Sequence, residues 1–281
     1  GGEIDESWNM IGDKFRNTFN GDGTTKDYIL SLDGLLSVDK VVVNNVVTTE
    51  YTVDLTKGKV TFTTAPTNGL NNVEITASKS FDKLKENITK CTFAIEFSNR
   101  VFISGNSDYP NQYYAGGLND DNKANYFPQK YKYLITEKKK KITAFKVRHN
   151  KLVVFKEDMT CLVESATGLD NLASFPVKYL NTDVGCDIPN SIQLINNDIV
   201  FANTYQGVNI IVSTYVQDES NIVTLSQNVN GNHNRKGLLH EADLKNAKSV
   251  DYNFKYHLCL GDKCYVFDYK DGFSTKNSEK N

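Results

Sequence analysis

The chain has 281 residues, of which 39% are hydrophobic and 23% charged, and its formal net charge is −2. A chain of this length can bury a sizeable core in one large domain or two small ones, so folding requires no disulfide or metal. The near-neutral charge argues against a general binder of nucleic acid or acidic membranes, and no apolar run is long enough for a transmembrane helix.

Runs of β-branched residues predict strands in the first part of the chain. Asn, Gly and Pro, which favour turns, separate these runs. The predicted strands are 38–43, 46–53, 59–64 and 73–79. Because this pattern is self-contained, we expect residues 20–78 to form a separate, small antiparallel β-sandwich module. We expect the module to be inserted into a larger domain built from residues 1–19 and 79–281.

The rest of the chain repeats one pattern: an apolar-alternating strand, a tight polar turn and a second strand. Asn tolerates the positive φ that two-residue hairpin turns require, and the four turns contain Asn99, Asn150, Asn197 and Asn253. Third strands are predicted at 159–165, 207–213 and 264–269. A meander that recurs at about 50 residues is typical of propeller blades. The predicted fold class is therefore mostly β, with β-propeller-like repeats; one large irregular β-sandwich is the alternative.

Two later segments depart from this pattern. In 237–249, Leu238, Ala242 and Leu244 recur at roughly helical spacing, which predicts a short amphipathic helix. Residues 271–281 are polar, so we expect the last repeat to lack a final strand. That expectation predicts that the chain is a fragment of a larger propeller-containing protein, prone to self-association at an exposed blade edge.

No motif of catalysis or cofactor binding occurs in the sequence. The four histidines are scattered, and the adjacent acids Asp120-Asp121 and Glu157-Asp158 lie in predicted turns, where carboxylates are usually solvated. We therefore predict no catalytic, cofactor-binding or metal residues, no cofactor and no enzymatic activity.

Two segments have alternative interpretations. Lys138–Lys141 is either a phosphate-binding patch or, as we favour, a solvated hairpin whose charges discourage edge-to-edge aggregation. The aromatic series Tyr109-Pro110, Tyr113-Tyr114 and Tyr126–Pro128 would suit a protein–protein contact if exposed, and is packing between blades if buried.

The five cysteines have irregular spacing, which is not that of a secreted disulfide framework. Cys259 and Cys264 bracket a predicted hairpin turn at Gly261-Asp262 and could face each other across two strands. Reduced thiols are the interpretation that we favour.

Several segments resemble tailed-bacteriophage virion proteins. The similar stretches are 100–128, 142–158, 175–212 and 257–269, and the stretches 19–30 and 51–66 resemble small β-sandwich modules of phage structural proteins. The resemblance implies a structural component of a phage or prophage tail or neck. Its partners would be other virion proteins and further copies of itself, with no specific nucleic acid and no membrane. Its location would be the virion, and the host cytoplasm during assembly.

The alternative function is a carbohydrate- or receptor-binding, and even depolymerising, tail propeller. Such a protein should carry several Trp residues or paired carboxylates at strand ends. The single tryptophan, Trp8, lies outside the repeats, which favours the structural role.

Overall fold

The computed structural model describes residues 3–4, 9–80, 82–117, 125–167, 173–214, 221–269 and 272–277. Among the described residues, 53% lie in strands and 6% in helices, which confirms the mostly β fold class. The chain divides into two compact units. Unit 1 comprises Gly1–Cys91 and Tyr114–Tyr133, and unit 2 comprises Thr92–Tyr113 and Leu134–Asn281.

The first eight strands form two antiparallel sheets. They are β1 (Glu3–Ile4), β2 (Lys14–Gly21), β3 (Asp27–Ile29), β4 (Ser37–Val43), β5 (Val46–Val47), β6 (Tyr51–Asp54), β7 (Lys59–Phe62) and β8 (Gly69–Ser78). One sheet has the order β1-β2-β8-β4-β5 and the other β3-β7-β6. Alternate residues of both sheets share one apolar core, as in a β-sandwich, and the rings of Tyr28 and Phe62 meet there edge to face at 5.3 Å.

The observed strands refine the predicted module in two ways. The predicted start at residue 20 falls inside β2, which pairs with β8 from Lys14 onward. The predicted strand 46–53 is two strands, because the chain crosses between the sheets at Thr48–Glu50: β5 pairs with β4, and β6 with β7. That the module is a separate insert stays a prediction.

A helix that the sequence analysis did not predict follows the module. Helix α1 spans Asp82–Thr89 and buries Asn87 and Ile88.

The remaining strands are short. They are β9 (Phe93–Phe97), β10 (Arg100–Ser104), β11 (Gln112–Ala115), β12 (Lys132–Leu134), β13 (Ile142–Arg148), β14 (Lys151–Lys156), β15 (Thr160–Val163), β16 (Ala166–Thr167), β17 (Ala173–Ser174), β18 (Val177–Asn181), β19 (Ile188–Ile195), β20 (Asp198–Asn203), β21 (Gly207–Ile211), β22 (Ile222–Thr224), β23 (Gly231–Asn232), β24 (Arg235–Lys236), β25 (Lys248–Tyr252), β26 (Lys255–Leu260), β27 (Lys263–Asp268) and β28 (Gly272–Asn277). Three-residue 3₁₀ turns occur at Gln129–Tyr131, Leu238–His240 and Leu244–Asn246.

Most of these strands belong to four antiparallel sheets of four strands, each in meander order. Sheet I is β9-β10-β11-β12, sheet II is β13-β14-β15-β18, sheet III is β19-β20-β21-β22 and sheet IV is β25-β26-β27-β28. The strands β16 and β17 form a two-stranded sheet, and so do β23 and β24. The three predicted third strands correspond to β15, β21 and β27.

The predicted turn asparagines are confirmed. Asn99, Asn150, Asn197 and Asn253 each lie in the two-residue turn between the first two strands of sheets I to IV, with φ of 56°, 56°, 67° and 50°. In each of these turns the other central residue also has a positive φ. Two positive φ values are the mark of the type I′ turn, whose twist matches that of the paired strands.

Successive sheets in unit 2 pack face to face. One core lies between sheets II and III, where the rings of Phe155 and Phe201 are 4.9 Å apart. A second core lies between sheets III and IV and includes Val200, Tyr256 and Leu258. The first strands of the sheets are also neighbours, since β13 contacts both β9 and β19, and β19 contacts β25. The stacking is observed, whereas closure into a propeller stays a prediction.

Polar side chains form hydrogen bonds and an ion pair between neighbouring sheets of unit 2. Arg148, which is 6% exposed, donates from Nε to the carbonyl of Asn197 at 2.9 Å and pairs with Asp198. Gln193 donates to the carbonyl of Ser249 at 2.9 Å. The end of β13 in sheet II is thereby tied to the first turn of sheet III, and sheet III to sheet IV.

Two predictions for the last part of the chain are wrong. Residues 237–249 form two 3₁₀ turns and not an amphipathic α-helix, because Glu241 between them is extended (ψ 123°) and its carboxylate is engaged by Lys263. Residues 272–277 do supply a final strand, β28, paired with β27 along Phe267↔Phe273. A strand at the edge of a sheet is held mainly by backbone hydrogen bonds and needs few apolar side chains. The polar sequence of 272–277 therefore gave no strand signal.

Candidate functional site

Sheet IV exposes apolar side chains at one end. Side chains alternate along its strands, so Tyr256, Leu258 and Leu260 of β26 enter the core. The first hairpin of the sheet instead presents Val250, Tyr252 and Phe254 to solvent, with 51%, 73% and 58% of their surfaces exposed. We call these three residues the sheet IV tip. Neighbouring large apolar side chains exposed together are typical of contact surfaces.

Contacts with the last part of sheet IV brace the turn of the tip. Phe254 has a φ of 59°, which a bulky residue rarely adopts, and its ring meets that of Tyr269 edge to face at 6.3 Å. The hydroxyl of Tyr269 donates to Asp251 at 2.9 Å, and Lys255 pairs with Asp268 below the turn. The aromatic side chains are therefore displayed from a tight, side-chain-braced hairpin and not from a long loop.

A cleft of about 330 Å³ lies against the same sheet, beside β24 and β27. The charged side chains that line it are Arg235, Lys236, Glu241 and Lys263, with Cys264 and Tyr265 beside them. Arg235 and Lys236 are exposed. Three cations against one carboxylate make the cleft basic, so an acidic group is the ligand that it suits.

Glu241 organises this cleft. Lys263 donates to both of its carboxylate oxygens at 2.7 and 2.8 Å, and the Tyr265 hydroxyl donates to it at 2.9 Å. The hydrogen bond from Lys263 lowers the pKa of Glu241 below its usual value, and the hydrogen bond from Tyr265 acts in the same direction. Burial, with the hydrogen bond to Glu241, raises the pKa of Tyr265 to about 12. At neutral pH the site therefore holds a carboxylate, an ammonium group and a neutral phenol.

The lysine run lies in the connection between β12 of sheet I and β13 of sheet II, and the predicted hairpin is wrong, because β12 pairs with β11 and β13 pairs with β14. Lys140 and Lys141 pair with Glu157 at 3.8 and 3.6 Å, and Lys138 reaches Asp183 at 3.3 Å. The ammonium group of Lys156, a residue with 0% of its surface exposed, donates to the carbonyl of Glu137 at 2.6 Å and to that of Lys138. Three of the four cations of the run are thus paired within the protein, which favours the structural interpretation over a phosphate patch.

The aromatic series is mostly buried. Tyr113 and Tyr114 are 0% exposed and Phe127 is 4% exposed, while Tyr109 is 44% exposed. The hydroxyl of Tyr113 donates to the carbonyl of Phe175 at 3.1 Å within unit 2. Packing is therefore the role of most of this series.

The described residues gather no metal ligands. Among them, no group of three or more His, Cys, Asp and Glu side chains is placed to hold an ion. The acids Asp120-Asp121 lie outside the described residues, and Glu157 is engaged by the lysine run. No helix in the described part of the chain has the length and hydropathy to cross a bilayer.

No protein-family profile matches the chain, and no curated protein matches it. One similar solved structure is PorZ, a surface component of the type-IX secretion system of Porphyromonas gingivalis, with 12% identity and a TM-score of 0.35 over 93% of this chain and 34% of PorZ. Another is the N-terminal domain of Nup159, with 11% identity and a TM-score of 0.36 over 98% of this chain and 70% of that one. The chain spans about a third of the PorZ chain. Likeness at this level carries no argument about function.

Proposed function

We propose that the chain is a structural component of a bacteriophage or prophage tail or neck and that it acts through protein–protein contacts, without catalysis. The resemblance of segments 100–128, 142–158, 175–212 and 257–269 to virion proteins supports the location. The observation that carries the contact function is the sheet IV tip, three large apolar side chains exposed on a tight hairpin.

We infer that sheets I to IV are blades of a propeller. Each sheet is a four-stranded meander, and successive sheets pack face to face. The first strands of successive sheets are neighbours, so the same edge of every sheet faces a common side. A propeller repeats such blades around a channel. This inference accounts for the repeat at about 50 residues in the sequence.

The strain at Phe254 supports a contact role for the tip. Gly or Asn would occupy the left-handed region at lower cost, and non-glycine residues held there concentrate at functional sites. A phenylalanine with 58% of its surface exposed adds little to the core in return.

The partner that we propose for the sheet IV tip is a second copy of this chain, because identical subunits are the commonest partners in soluble assemblies.

Particle composition tests the proposal. Virions from an induced lysogen that carries the gene are banded in a density gradient and quantified by mass spectrometry. The chain should band with the tail proteins at a fixed ratio to them. Its recovery only in the particle-free fraction would contradict the proposal.

Variants connect the tip to assembly. Phe254→Lys and Tyr252→Lys should each lower the amount of the chain in particles at least tenfold, because a charge replaces an apolar contact. Leu70→Lys is the matched control: Leu70 is 81% exposed on β8, outside the tip, and its replacement should change nothing. Equal incorporation of all three variants would remove the tip from the proposal.

A second candidate function, binding of an acidic glycan, is favoured by the basic cleft. A uronic-acid or sialic-acid carboxylate would meet Arg235, Lys236 and Lys263. On an array of acidic and neutral glycans, Arg235→Gln should abolish the binding of acidic glycans, whereas Lys248→Gln, on exposed β25 outside the cleft, should leave it intact. No binding by the unaltered chain would eliminate this candidate.

A further inference from the structure

The hairpin between β26 and β27 places two cysteines directly opposite each other. Its two-residue turn is Gly261-Asp262, with Gly261 at a φ of 56°, so Leu260 pairs with Lys263 and Cys259 with Cys264. The pair beside such a turn exchanges backbone hydrogen bonds, and the next pair, here the two cysteines, takes the closer non-hydrogen-bonded spacing of about 4.5 Å between Cα atoms. That spacing lies within the range of roughly 4.4–6.8 Å that a disulfide requires.

The two thiols are in contact and accessible. Their sulfur atoms are 2.8 Å apart, Cys259 is exposed and Cys264 is partly exposed. The other cysteines are in different surroundings: Cys161 and Cys186 are buried, and the Sγ of Cys91 donates to the carbonyl of Asn87 at 3.3 Å. We propose that Cys259 and Cys264 are a dithiol site that a low-molecular-weight disulfide oxidises to a cross-strand disulfide.

The reaction is two successive thiol–disulfide exchanges. The thiolate of the exposed Cys259 attacks one sulfur of the small disulfide, forms a mixed disulfide and releases the first small thiol. The thiolate of Cys264 then attacks the sulfur of Cys259 and releases the second. The two protons lost by the cysteines end on the two small thiols, so the protein loses two electrons and one small disulfide is reduced.

The surroundings fix the order of attack and favour an acidic reagent. Burial raises the pKa of Cys264 to about 12, and the hydrogen bond with Cys259 adds to the rise, so Cys264 is the poorer first nucleophile. Lys248 is the partner of Cys259 across β25 and β26, and paired residues project from the same face. Oxidised glutathione, which is anionic, has the charge that suits this lysine.

Digestion with trypsin shows directly whether the disulfide between Cys259 and Cys264 has formed. It cleaves after Lys255, Lys263 and Lys270, so Cys259 and Cys264 fall on two peptides, 256–263 and 264–270, that only a disulfide can hold together. The folded full-length chain is equilibrated in a mixture of reduced and oxidised glutathione, alkylated, digested and analysed by mass spectrometry. Most of the Cys259 should be recovered in the linked pair of peptides, while Cys161 and Cys186 should be recovered alkylated only after unfolding.

Three further samples test whether the disulfide depends on the fold and whether Cys259 attacks first. The linked pair should fall at least tenfold in concentrated urea at the same glutathione ratio, because the fold and not the short sequence separation aligns the thiols. Cys264→Ser should retain a glutathione adduct on Cys259, and Cys259→Ser should lose most of the adduct. Recovery of the two wild-type peptides apart, alkylated or as stable glutathione adducts, would overturn the proposal, and so would equal linkage in urea.

Discussion

The hydroxyl of Tyr256 donates a hydrogen bond to the backbone carbonyl of Ser191 at 2.8 Å and so joins sheet IV to sheet III. Tyr256 is fully buried, and burial raises the pKa of its phenol well above the usual value. The phenol is thus a neutral donor at neutral pH, within the core that stacks the two sheets.

Tyr256→Phe removes the hydroxyl, and with it the hydrogen bond to Ser191, while the ring remains in the core. The free energy of unfolding should fall by about 1–2 kcal/mol, since a buried carbonyl loses a partner. Tyr252→Phe is the matched control, because Tyr252 is 73% exposed on the adjacent strand, and its change should stay within about 0.5 kcal/mol. Urea denaturation measures the free energy of unfolding of both variants. Equal losses in the two variants would show that the hydrogen bond does not stabilise the stacking of the two sheets.

The turn at Asn196-Asn197 tests why asparagine marks the hairpins. Asn197 has a φ of 67°, where alanine is strained by about 1–2 kcal/mol and glycine is not. Asn197→Ala should therefore lower the melting temperature, while Asn197→Gly should leave it nearly unchanged. The contact of Arg148 is to the backbone carbonyl of Asn197 and survives in both variants. A melting temperature that is equal in the two variants would contradict the turn assignment.

Glu241 should make stability depend on acid pH. Its pKa lies below the usual 4.5 in the folded protein, so its stabilising contribution is complete above pH 4.5 and is lost as the pH falls through the folded value. The melting temperature of Glu241→Gln should accordingly lie below that of the wild type at pH 7, and the gap should shrink in acid. Calorimetry from pH 7 to pH 3 measures the gap, and a gap independent of pH would contradict the role of the carboxylate.

Lys156 should hold the lysine run in place. Its ammonium group bonds the carbonyls of Glu137 and Lys138, and Lys156→Met leaves both without this donor. Trypsin should then cut within Lys138–Lys141 several-fold faster than in the wild type, because exposed, loosened loops are preferred sites of cleavage. Lys178→Met, at an exposed position of β18, is the control and should not change that rate. Unchanged cleavage in Lys156→Met would show that other contacts brace the run.

The hairpins were predictable because their signals are local. Asn99, Asn150, Asn197 and Asn253 stand where apolar alternation stops, and asparagine is the residue best able to take a positive φ other than glycine. The error at 237–249 arose because the contact of Glu241 with Lys263 is set by tertiary structure, which helical periodicity does not contain.

The candidate site was less accessible to sequence analysis. Tyr252 and Phe254 look like ordinary strand residues, and only the packing of sheet IV shows that they are left outside the core. The basic cleft joins Arg235 and Glu241 with Lys263, which lies 22 residues after Glu241 in the chain. The sequence already allowed Cys259 and Cys264 to face each other, as one of two alternatives. The turn between the two cysteines fixes the register of the strands that carry them.

Sedimentation equilibrium of the isolated chain tests the central claim, that the sheet IV tip is a contact surface between copies, most directly. We predict concentration-dependent self-association of the wild type and of Leu70→Lys, with loss of association in the double variant Tyr252→Lys, Phe254→Lys. Circular dichroism confirms that each sample is folded. A wild type that remains monomeric at all concentrations, or a double variant that associates as strongly as the wild type, would contradict the claim.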